Sequence, residues 1–348
     1  MDSTGVAAPP NANAPYWNPA TLGYVESDAE LSASYTPWLR NLGIPDISLN
    51  YLSGYYRIDE LSAIGGSLRY FSLGDIQFTD QNGNDLQTFR PNEFAISGSY
   101  GRQLSENFSL GVSLRYIRSN LSGNTPTSGG TETQPGSAVS GDISAYYRTD
   151  VELFNTEADL AFGGNVRNLG SQISYSEVEG GDFIPMKVKL GSYLNFKIDD
   201  YNELAIMADF RKLLVPTPQN IDTTGSIGGG GVTIGRGLSD KSVIEGAIES
   251  FSDAPGGFNE EMKEIKPSLG LEYWYDQQFA LRAGYFYEAR EKGDRKYITL
   301  GAGIRYNVLT LDFSYLISAN GQPNQNSPLA NTIRISLGLK FNNSEKGS

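Results

Sequence analysis

Apolar and polar residues alternate strictly along several stretches of this chain. Between Thr332 and Phe341 every second residue is apolar, and the same alternation fills residues 108–118 and 296–306. A period of two is typical of a β-strand with one apolar and one polar face. Strands of about ten residues that recur along a chain match those that cross a bilayer in a β-barrel. The pattern therefore predicts an all-β fold, a transmembrane antiparallel β-barrel.

The pattern leaves the number of strands open. Fifteen stretches fit it, whereas a bacterial single-chain barrel has an even number of strands. Either residues 228–237 contain a further short strand or one of the fifteen is not a strand, so 14 and 16 strands both agree with the sequence. The predicted strands are residues 30–38, 47–58, 62–73, 93–103, 107–119, 140–149, 157–168, 185–198, 203–211, 242–252, 266–275, 278–290, 296–306, 309–318 and 329–341.

The connections and the aromatic residues favour a membrane barrel over a soluble β-sandwich, which shows the same alternation. Short polar connections such as residues 59–60 differ sharply from long ones rich in Gly, Pro, Ser and Thr, as at the two rims of an outer-membrane barrel. Aromatic residues lie near strand ends, as in residues 273–275 (Tyr-Trp-Tyr), which is typical of the girdles at membrane interfaces.

Composition excludes several classes of protein. The mean hydropathy is −0.35, and no apolar run approaches the ~18–20 residues of a spanning helix, which excludes a helical membrane protein. The chain has no cysteine and no histidine, which excludes a disulfide scaffold, Ser-His triads and the usual zinc sites. The formal net charge of −13 argues against a nucleic-acid partner. We therefore predict no hydrolase activity on phospholipid or lipid A, and no cofactor or metal site.

The two ends of the chain differ from the predicted barrel, residues 30–341. Residues 1–29 lack alternation and contain several prolines and two adjacent aromatic residues. This composition predicts that residues 1–29 fold into or under the barrel mouth. The alternative is a flexible N-terminal tail. Residues 342–348 form a short C-terminal tail. Because no secretory hydrophobic segment precedes Asp2, we expect the numbering to begin after a removed signal peptide, with Met1 added, or from a trimmed chain.

Three polar motifs carry weaker signals. Residues 80–85 resemble the start of a calcium loop, but Asp85 and Pro91 stand where that loop needs Gly and Glu, so a turn is the better interpretation. Residues 228–231 lack the Lys-Ser/Thr of a phosphate-binding loop. Three carboxylates share predicted luminal faces with arginines; an acid–base pair is the alternative, but we expect an ion-pair network. These residues are Asp209, Glu272 and Glu288, with Arg69, Arg115, Arg282, Arg305 and Arg334.

The loop of residues 253–265 is the first candidate for partner binding. After a turn that contains Pro255, the residues Phe258, Met262 and Ile265 recur at helical spacing, with glutamates mostly on the other side. Such a segment either packs back over the barrel mouth or presents apolar side chains to a partner.

A second candidate is the end of the first strand. Trp38 and Leu39 lie there, and we predict that they contribute to partner binding. The alternative for Trp38 is an anchor in the aromatic girdle.

Segments along nearly the whole chain resemble the PorV family, the FadL-like outer-membrane barrels of the type IX secretion system in Bacteroidetes. The Asn-Pro-Ala element is shared with FadL transporters in general, whereas the segments that contain YTPWL and SFSDAPGGF are typical of PorV. The similar segments are residues 16–20 (YWNPA), 34–39 (SYTPWL), 51–56 (YLSGYY), 68–74 (LRYFSLG), 250–258 (SFSDAPGGF) and 272–275 (EYWY).

The resemblance implies a 14-stranded barrel in the outer membrane, with residues 1–29 as a FadL-type hatch and no enzymatic activity. It implies a shuttle that docks beside the giant translocon barrel and receives the C-terminal signal domain of a secreted cargo. The shuttle then carries that cargo to the sortase-containing attachment complex. Outer-membrane lipid is a further partner. The alternative is a FadL-type channel for uptake of hydrophobic small molecules, against which the predicted luminal arginines argue.

Overall fold

The wall of the molecule is a closed antiparallel barrel. A computed structural model describes residues 4–40, 43–44, 46–79, 83–121, 134–175, 181–216, 220–222, 232–234, 242–319 and 331–342. The strands are β1 (Ala29–Pro37), β2 (Ile47–Arg57), β3 (Ser62–Leu73), β4 (Ile76–Thr79), β5 (Asp85–Phe89), β6 (Asn92–Gln103), β7 (Phe108–Asn120), β8 (Gly136–Leu153), β9 (Thr156–Gly170), β10 (Lys187–Lys197), β11 (Asn202–Leu213), β12 (Asn220–Asp222), β13 (Val232–Ile234), β14 (Lys266–Tyr275), β15 (Phe279–Tyr287), β16 (Lys296–Tyr306), β17 (Leu309–Ser318) and β18 (Thr332–Phe341).

Fourteen of these strands form the wall, each paired with its neighbours in chain order, and β1 pairs with β18 to close it. The other four pair as two small hairpins, β4 with β5 and β12 with β13. The helices are α1 (Ala14–Trp17), α2 (Val243–Glu249) and α3 (Phe258–Glu264), and 3₁₀ turns cover Pro19–Tyr24 and Arg290–Lys292. No helix in the described ranges is long and apolar enough to cross a membrane.

The count of 14 strands resolves the ambiguity of the sequence pattern. The predicted strand at residues 242–252 is wrong, because α2 occupies that stretch. The short strand β13 does lie within residues 228–237, but it pairs with β12 and not with the wall. An all-β barrel of 14 strands is therefore confirmed.

The strands of the wall bury their polar faces and expose their apolar ones. In β7, Ser109 is fully buried whereas Leu114 is 66% exposed, and the two types of residue alternate along the strand. A water-soluble domain would do the reverse, since burial of apolar surface drives its folding. The outer wall of the barrel therefore faces lipid, which confirms the prediction of a membrane barrel.

The two ends of the barrel differ in their connections. One end has tight turns, in which left-handed backbone conformations occur at Phe154, Asn155, Asp276, Gln277 and Asn307. Such positive φ angles are what two-residue hairpin turns require. The other end carries the long connections. Short turns on the periplasmic side and long loops on the outside are the arrangement of outer-membrane barrels, so we refer to the short-turn end and the long-loop end.

Residues 4–28 lie inside the barrel, and we call them the luminal segment. It contains α1 and the 3₁₀ turn Pro19–Tyr24, which contacts β3, β6, β7 and β8. Its apolar side chains are fully buried at Val6, Ala7, Ala20 and Leu22. The segment thus supplies an apolar core to a lumen whose wall is otherwise polar.

Hydrogen bonds and glycines hold the luminal segment against the wall. The buried Asn18 amide donates to the carbonyl oxygens of Val6 (2.8 Å) and Ala145 (3.0 Å). The Asp209 carboxylate accepts from the backbone N–H groups of Gly5 (2.9 Å) and Val6 (3.2 Å). Glycines in the wall permit this close approach: a Cβ at Gly163 would lie 2.1 Å from the Val6 oxygen.

Candidate functional site

An exposed apolar surface lies at the long-loop end, between β11 and β14. We call residues 242–265, which contain α2 and α3, the rim segment. Five of its large apolar side chains are at least half exposed, although the segment belongs to a loop and not to the wall. These side chains are Ile244 (70% exposed), Ile248 (68%), Phe251 (56%), Phe258 (75%) and Met262 (50%).

Packing against the wall fixes α2. The Ser242 hydroxyl caps the helix by accepting a hydrogen bond from the Glu245 N–H (3.3 Å). One side of the helix then packs on the long-loop ends of β9 and β10, through contacts among Val243, Ala247, Met186, Leu214, Val166, Leu169 and Val188. Because Ile244 and Ile248 follow those helix residues by one position, they lie on a different side, which is exposed.

Ion pairs fix α3. The Glu261 carboxylate contacts the Lys212 ammonium at 3.0 Å and accepts a hydrogen bond from the Ala254 N–H at 2.8 Å. Glu264 contacts the same lysine at 2.5 Å and Lys292 at 2.9 Å. Lys212 follows Phe210 at the strand period and so shares the outward face of β11. The glutamates of α3 therefore cover a charge that would otherwise lie at the lipid-facing surface.

The same contacts set the protonation of the α3 glutamates. Burial by itself would raise the pKa of the Glu264 carboxyl, but hydrogen bonds from Lys212 and Lys292 outweigh it and hold that pKa below its usual value. Hydrogen bonds from Lys292 and the Gly256 N–H lower the pKa of the partly exposed Glu260 carboxyl as well. Both carboxyls are therefore charged near neutral pH, and the helix is held to the barrel electrostatically.

The predicted site residues occupy two separate parts of the rim. Pro255, Phe258 and Met262 are exposed on the rim segment, and Ile265 is partly buried at its end. Trp38 and Leu39 follow β1, which is separated from β11 and β14 by several strands of the barrel order. The Trp38 ring packs edge-on against Phe71, with centroids 5.1 Å apart, and lines the mouth of the lumen. The sequence pattern thus predicted the exposed side of α3, but it did not predict that Trp38 lines the mouth of the lumen.

Sequence reasoning missed the exposed residues of α2. Ile244, Ile248 and Phe251 lie in the stretch that was predicted to be a strand. A helix signal was present, because Ser242 and Glu245 have the spacing of a capping box and the two isoleucines are four residues apart. That signal predicts a second helix with exposed apolar residues in the loop that also contains Phe258 and Met262.

The luminal carboxylates form ion pairs and hydrogen bonds, as expected for a network. Glu272 pairs with Arg282, which also contacts Asp312 at 2.5 Å. Glu288 is fully buried and pairs with Lys266 (2.5 Å) and Arg295. Asp209 instead accepts hydrogen bonds from the luminal segment. Of the weak sequence motifs, residues 80–82 and 228–231 lie outside the described residues.

A family model matches this chain in sequence, and solved structures match it in fold. The family model described as "Type IX secretion system protein PorV" matches residues 1–220, which is more than half of the chain. The chain belongs to the PorV family. The family is one of type IX secretion, which places the barrel in the outer membrane. No curated protein sequence matches the chain significantly.

Solved structures support the fold. The Pseudomonas putida toluene transporter TodX has a TM-score of 0.53 and 12% sequence identity, with 97% of this chain and 95% of that chain covered. The Ralstonia pickettii toluene transporter TbuX has a TM-score of 0.52 and 13% identity, with 98% and 96% covered. At this identity the likeness concerns the fold alone, a FadL-like barrel.

Proposed function

We propose that this protein is a shuttle of the type IX secretion system in the outer membrane. In this proposal it docks beside the giant translocon barrel and binds the C-terminal signal domain of a secreted cargo. It then delivers the cargo to the sortase-containing attachment complex at the cell surface. Membership of the PorV family supports a secretion role, and the observation that carries the binding step is the exposed apolar surface of the rim segment.

The geometry of the rim segment suits reversible binding. Large apolar side chains dominate many interfaces, and each truncation of such an anchor costs roughly 1–3 kcal/mol of binding free energy. The packing of α2 and the ion pairs of α3 hold these side chains in position before a partner arrives, which reduces the entropy lost on binding. The formal net charge of −13 favours partners with basic groups, with an association rate that falls as salt rises.

The mouth of the barrel and the segment inside it have further roles in this proposal. Trp38 and Leu39 contribute a smaller contact at the mouth, where Trp38 is only partly buried. The luminal segment acts as a hatch that fills the barrel, and the surrounding outer-membrane lipid is the remaining partner. We expect no enzymatic activity.

Uptake of hydrophobic small molecules is the second candidate function. A cavity of about 360 Å³ above the luminal segment is lined by Phe71, Phe94, Ile173 and Phe183, among other residues, which favours an apolar ligand. Arg69, Arg115, Arg167 and Lys187 line the same cavity and argue against a continuous apolar path. A transport assay with an aromatic hydrocarbon distinguishes the two functions, because the shuttle does not require hydrocarbon uptake.

The double substitution Phe258→Ser/Met262→Ser tests the shuttle. Both side chains are largely exposed and leave the wall untouched, so the barrel should assemble and migrate faster unboiled than boiled on a denaturing gel. Co-purification of the translocon or of cargo signal domains should fall at least tenfold, which is about 1.4 kcal/mol.

Phe154→Ser is the matched control for this experiment. Phe154 is 92% exposed at the short-turn end. Its replacement therefore also removes exposed apolar surface, but it leaves the rim segment unaltered. Co-purification should be unchanged in this variant. Normal partner binding by the double variant would show that another surface carries the interaction, and failure to fold would show that these residues pack as a lid.

A further inference from the structure

The lumen contains two cavities that differ in charge, and residues of the luminal segment line both. The cavity toward the short-turn end, about 550 Å³, is lined by both carboxylates and cations: Glu26, Asp159, Glu203, Glu272 and Asp312, with Lys197, Arg282, Arg305 and Arg334. The cavity toward the long-loop end, about 500 Å³, is lined by Lys187, Arg211, Lys266, Arg295 and Arg334, and its lining contains no carboxylate among the residues that the structure describes. We call the second one the upper cavity.

Nearby carboxylates neutralise only part of the charge in the upper cavity. Glu288 pairs with Lys266 and Arg295. In the described ranges, neither Lys187 nor Arg211 lies within ion-pair distance of a carboxylate. The Arg211 guanidinium stacks over the Phe286 ring at 5.1 Å, and its Nη2 atom is buried without a hydrogen-bond partner. Arg211 lines the cavity and has no carboxylate within ion-pair distance among the described residues, so an anion in that space would supply its missing counter-charge.

A second group of cations surrounds the floor of the upper cavity. Tyr16 of the luminal segment lines it, and the Cζ atoms of Arg69 and Arg167 lie 4.8 and 4.7 Å from the centroid of the Tyr16 ring. The Lys189 ammonium lies 5.5 Å from the same centroid. One carboxylate, Asp142, contacts Arg167 at 3.3 Å. The positive charge therefore extends from the wall across the luminal segment.

Such an excess of confined positive charge is unfavourable without an anion. Like charges raise one another's energy, and a partly desolvated charge without a counter-charge is unfavourable. Guanidinium groups bind phosphate oxygens in a bidentate manner, and ammonium groups bind them as point charges. Several cations around one space match a group with more than one negative charge better than they match a single carboxylate.

We propose that the upper cavity is a binding site for a phosphoryl group, with Lys187 and Arg211 as its principal contacts. The group belongs either to a free phosphate compound or to the headgroup of a lipid. The cavity of about 360 Å³ that adjoins it shares Tyr16, Pro185 and Lys187 and has an apolar part, so it has room for an attached chain. This site is independent of the exposed surface of the rim segment.

Binding of inorganic phosphate to the purified full-length barrel in a nonionic detergent tests the proposal. Titration calorimetry or ³¹P NMR should show saturable binding that weakens with added salt. Lys187→Gln/Arg211→Gln should weaken it at least tenfold. Arg305→Gln is the matched control, because Arg305 is a luminal cation that lines the other cavity and stacks on the Trp274 ring at 4.5 Å. That variant should bind as the parent does.

Three results would overturn the proposal. They are the absence of saturable binding in the parent, equal binding in the double variant that retains the faster unboiled gel migration, and equal affinity for chloride and phosphate. If the double variant loses that migration, the single Arg211→Gln variant replaces it under the same criteria.

Phosphorus analysis of protein purified from native membranes distinguishes the two sources. A stoichiometric phosphorylated lipid that the double variant lacks identifies a headgroup. Binding of inorganic phosphate without such a lipid identifies a free phosphate compound.

Discussion

The luminal segment and the rim segment are both non-strand segments attached to the same barrel, yet they are held in opposite ways. The luminal segment buries its apolar side chains, and hydrogen bonds with the barrel wall and close contacts with wall glycines fix its backbone. The rim segment exposes large apolar side chains, and ion pairs and a small packing contact fix it. Burial inside the barrel contributes to stability, whereas exposure at the rim leaves apolar surface for a partner.

The largest expected effect is at the wall beneath the luminal segment. Gly163→Val places side-chain atoms where the Val6 carbonyl lies, since even a Cβ would be 2.1 Å from its oxygen. Because backbone must move, we expect a loss of about 3 kcal/mol in the free energy of unfolding and proteolysis of the N-terminal residues. Urea titration of the gel shift and limited proteolysis measure the two effects.

Gly164→Val is the control for that substitution. A Cβ at Gly164 would meet only the Leu190 Cδ2 atom, at 3.4 Å, on the opposite face of the wall. We expect little change in either measurement. Equal destabilisation by both variants would mean that strand propensity, and not contact with the luminal segment, determines the result.

A smaller effect is expected for Lys212, which anchors the rim segment. Lys212→Gln removes the charge that pairs with Glu261 and Glu264, and it leaves both carboxylates without that partner. The free energy of local opening of α3 should fall by about 2 kcal/mol, because a hydrogen-bonded, mostly buried charge pair is lost. Hydrogen exchange of residues 258–264 measures this opening, and exchange in the luminal segment should not change.

Lys263→Gln tests whether burial matters in that experiment. The pair of Lys263 with Glu291 is well exposed, at 46% and 60% of the two side chains, so its loss should be nearly neutral. If Lys263→Gln opened α3 as much as Lys212→Gln does, net charge and not the buried pair would hold the rim segment.

The smallest expected effect is a dependence on pH that is confined to the rim segment. The pKa values of the Glu260 and Glu264 carboxyls are lowered in the folded protein by Lys292, and that of Glu264 by Lys212 as well. A lowered pKa contributes stability that is present above the unfolded value, near 4.3, and is lost as the pH falls through the folded value. Exchange of α3 should therefore be constant from pH 7 to about 5 and should increase below about 4 after correction for intrinsic rates. Glu264→Gln should reduce that increase. If the exchange rate of α3 at pH 3 equalled that at pH 7, the predicted pH dependence would be wrong.

The alternation of residues was sufficient to predict the wall but not every element at its rim. Strands such as β7 and β18 follow from period two alone, because each has one face toward lipid and one toward the lumen. The alternation predicts a strand at residues 242–252, although Ser242 and the spacing of the isoleucines indicate the helix that the structure shows. A short apolar run is ambiguous between the two structures until its capping residues are considered.

The contacts of the candidate site depend on the closed barrel and were not predictable from local sequence. Glu272 and Arg282 face each other across the tight turn between β14 and β15, so that pair follows from the hairpin register. Lys212 and Glu261 come from different elements that only the barrel brings together. The charge difference between the two luminal cavities likewise requires knowledge of where residues 4–28 lie.

The position of the luminal segment has a consequence for the order of assembly. Its first described residues contact β11 and its 3₁₀ turn contacts β6, β7 and β8, whereas the seam that closes the barrel joins β1 to β18. Residues 4–28 are thus enclosed by a wall that only β18 completes. If the seam closed first, these residues would have to thread through a finished barrel. Docking of the segment onto an open sheet of the middle strands avoids that step and makes closure of the seam the final event.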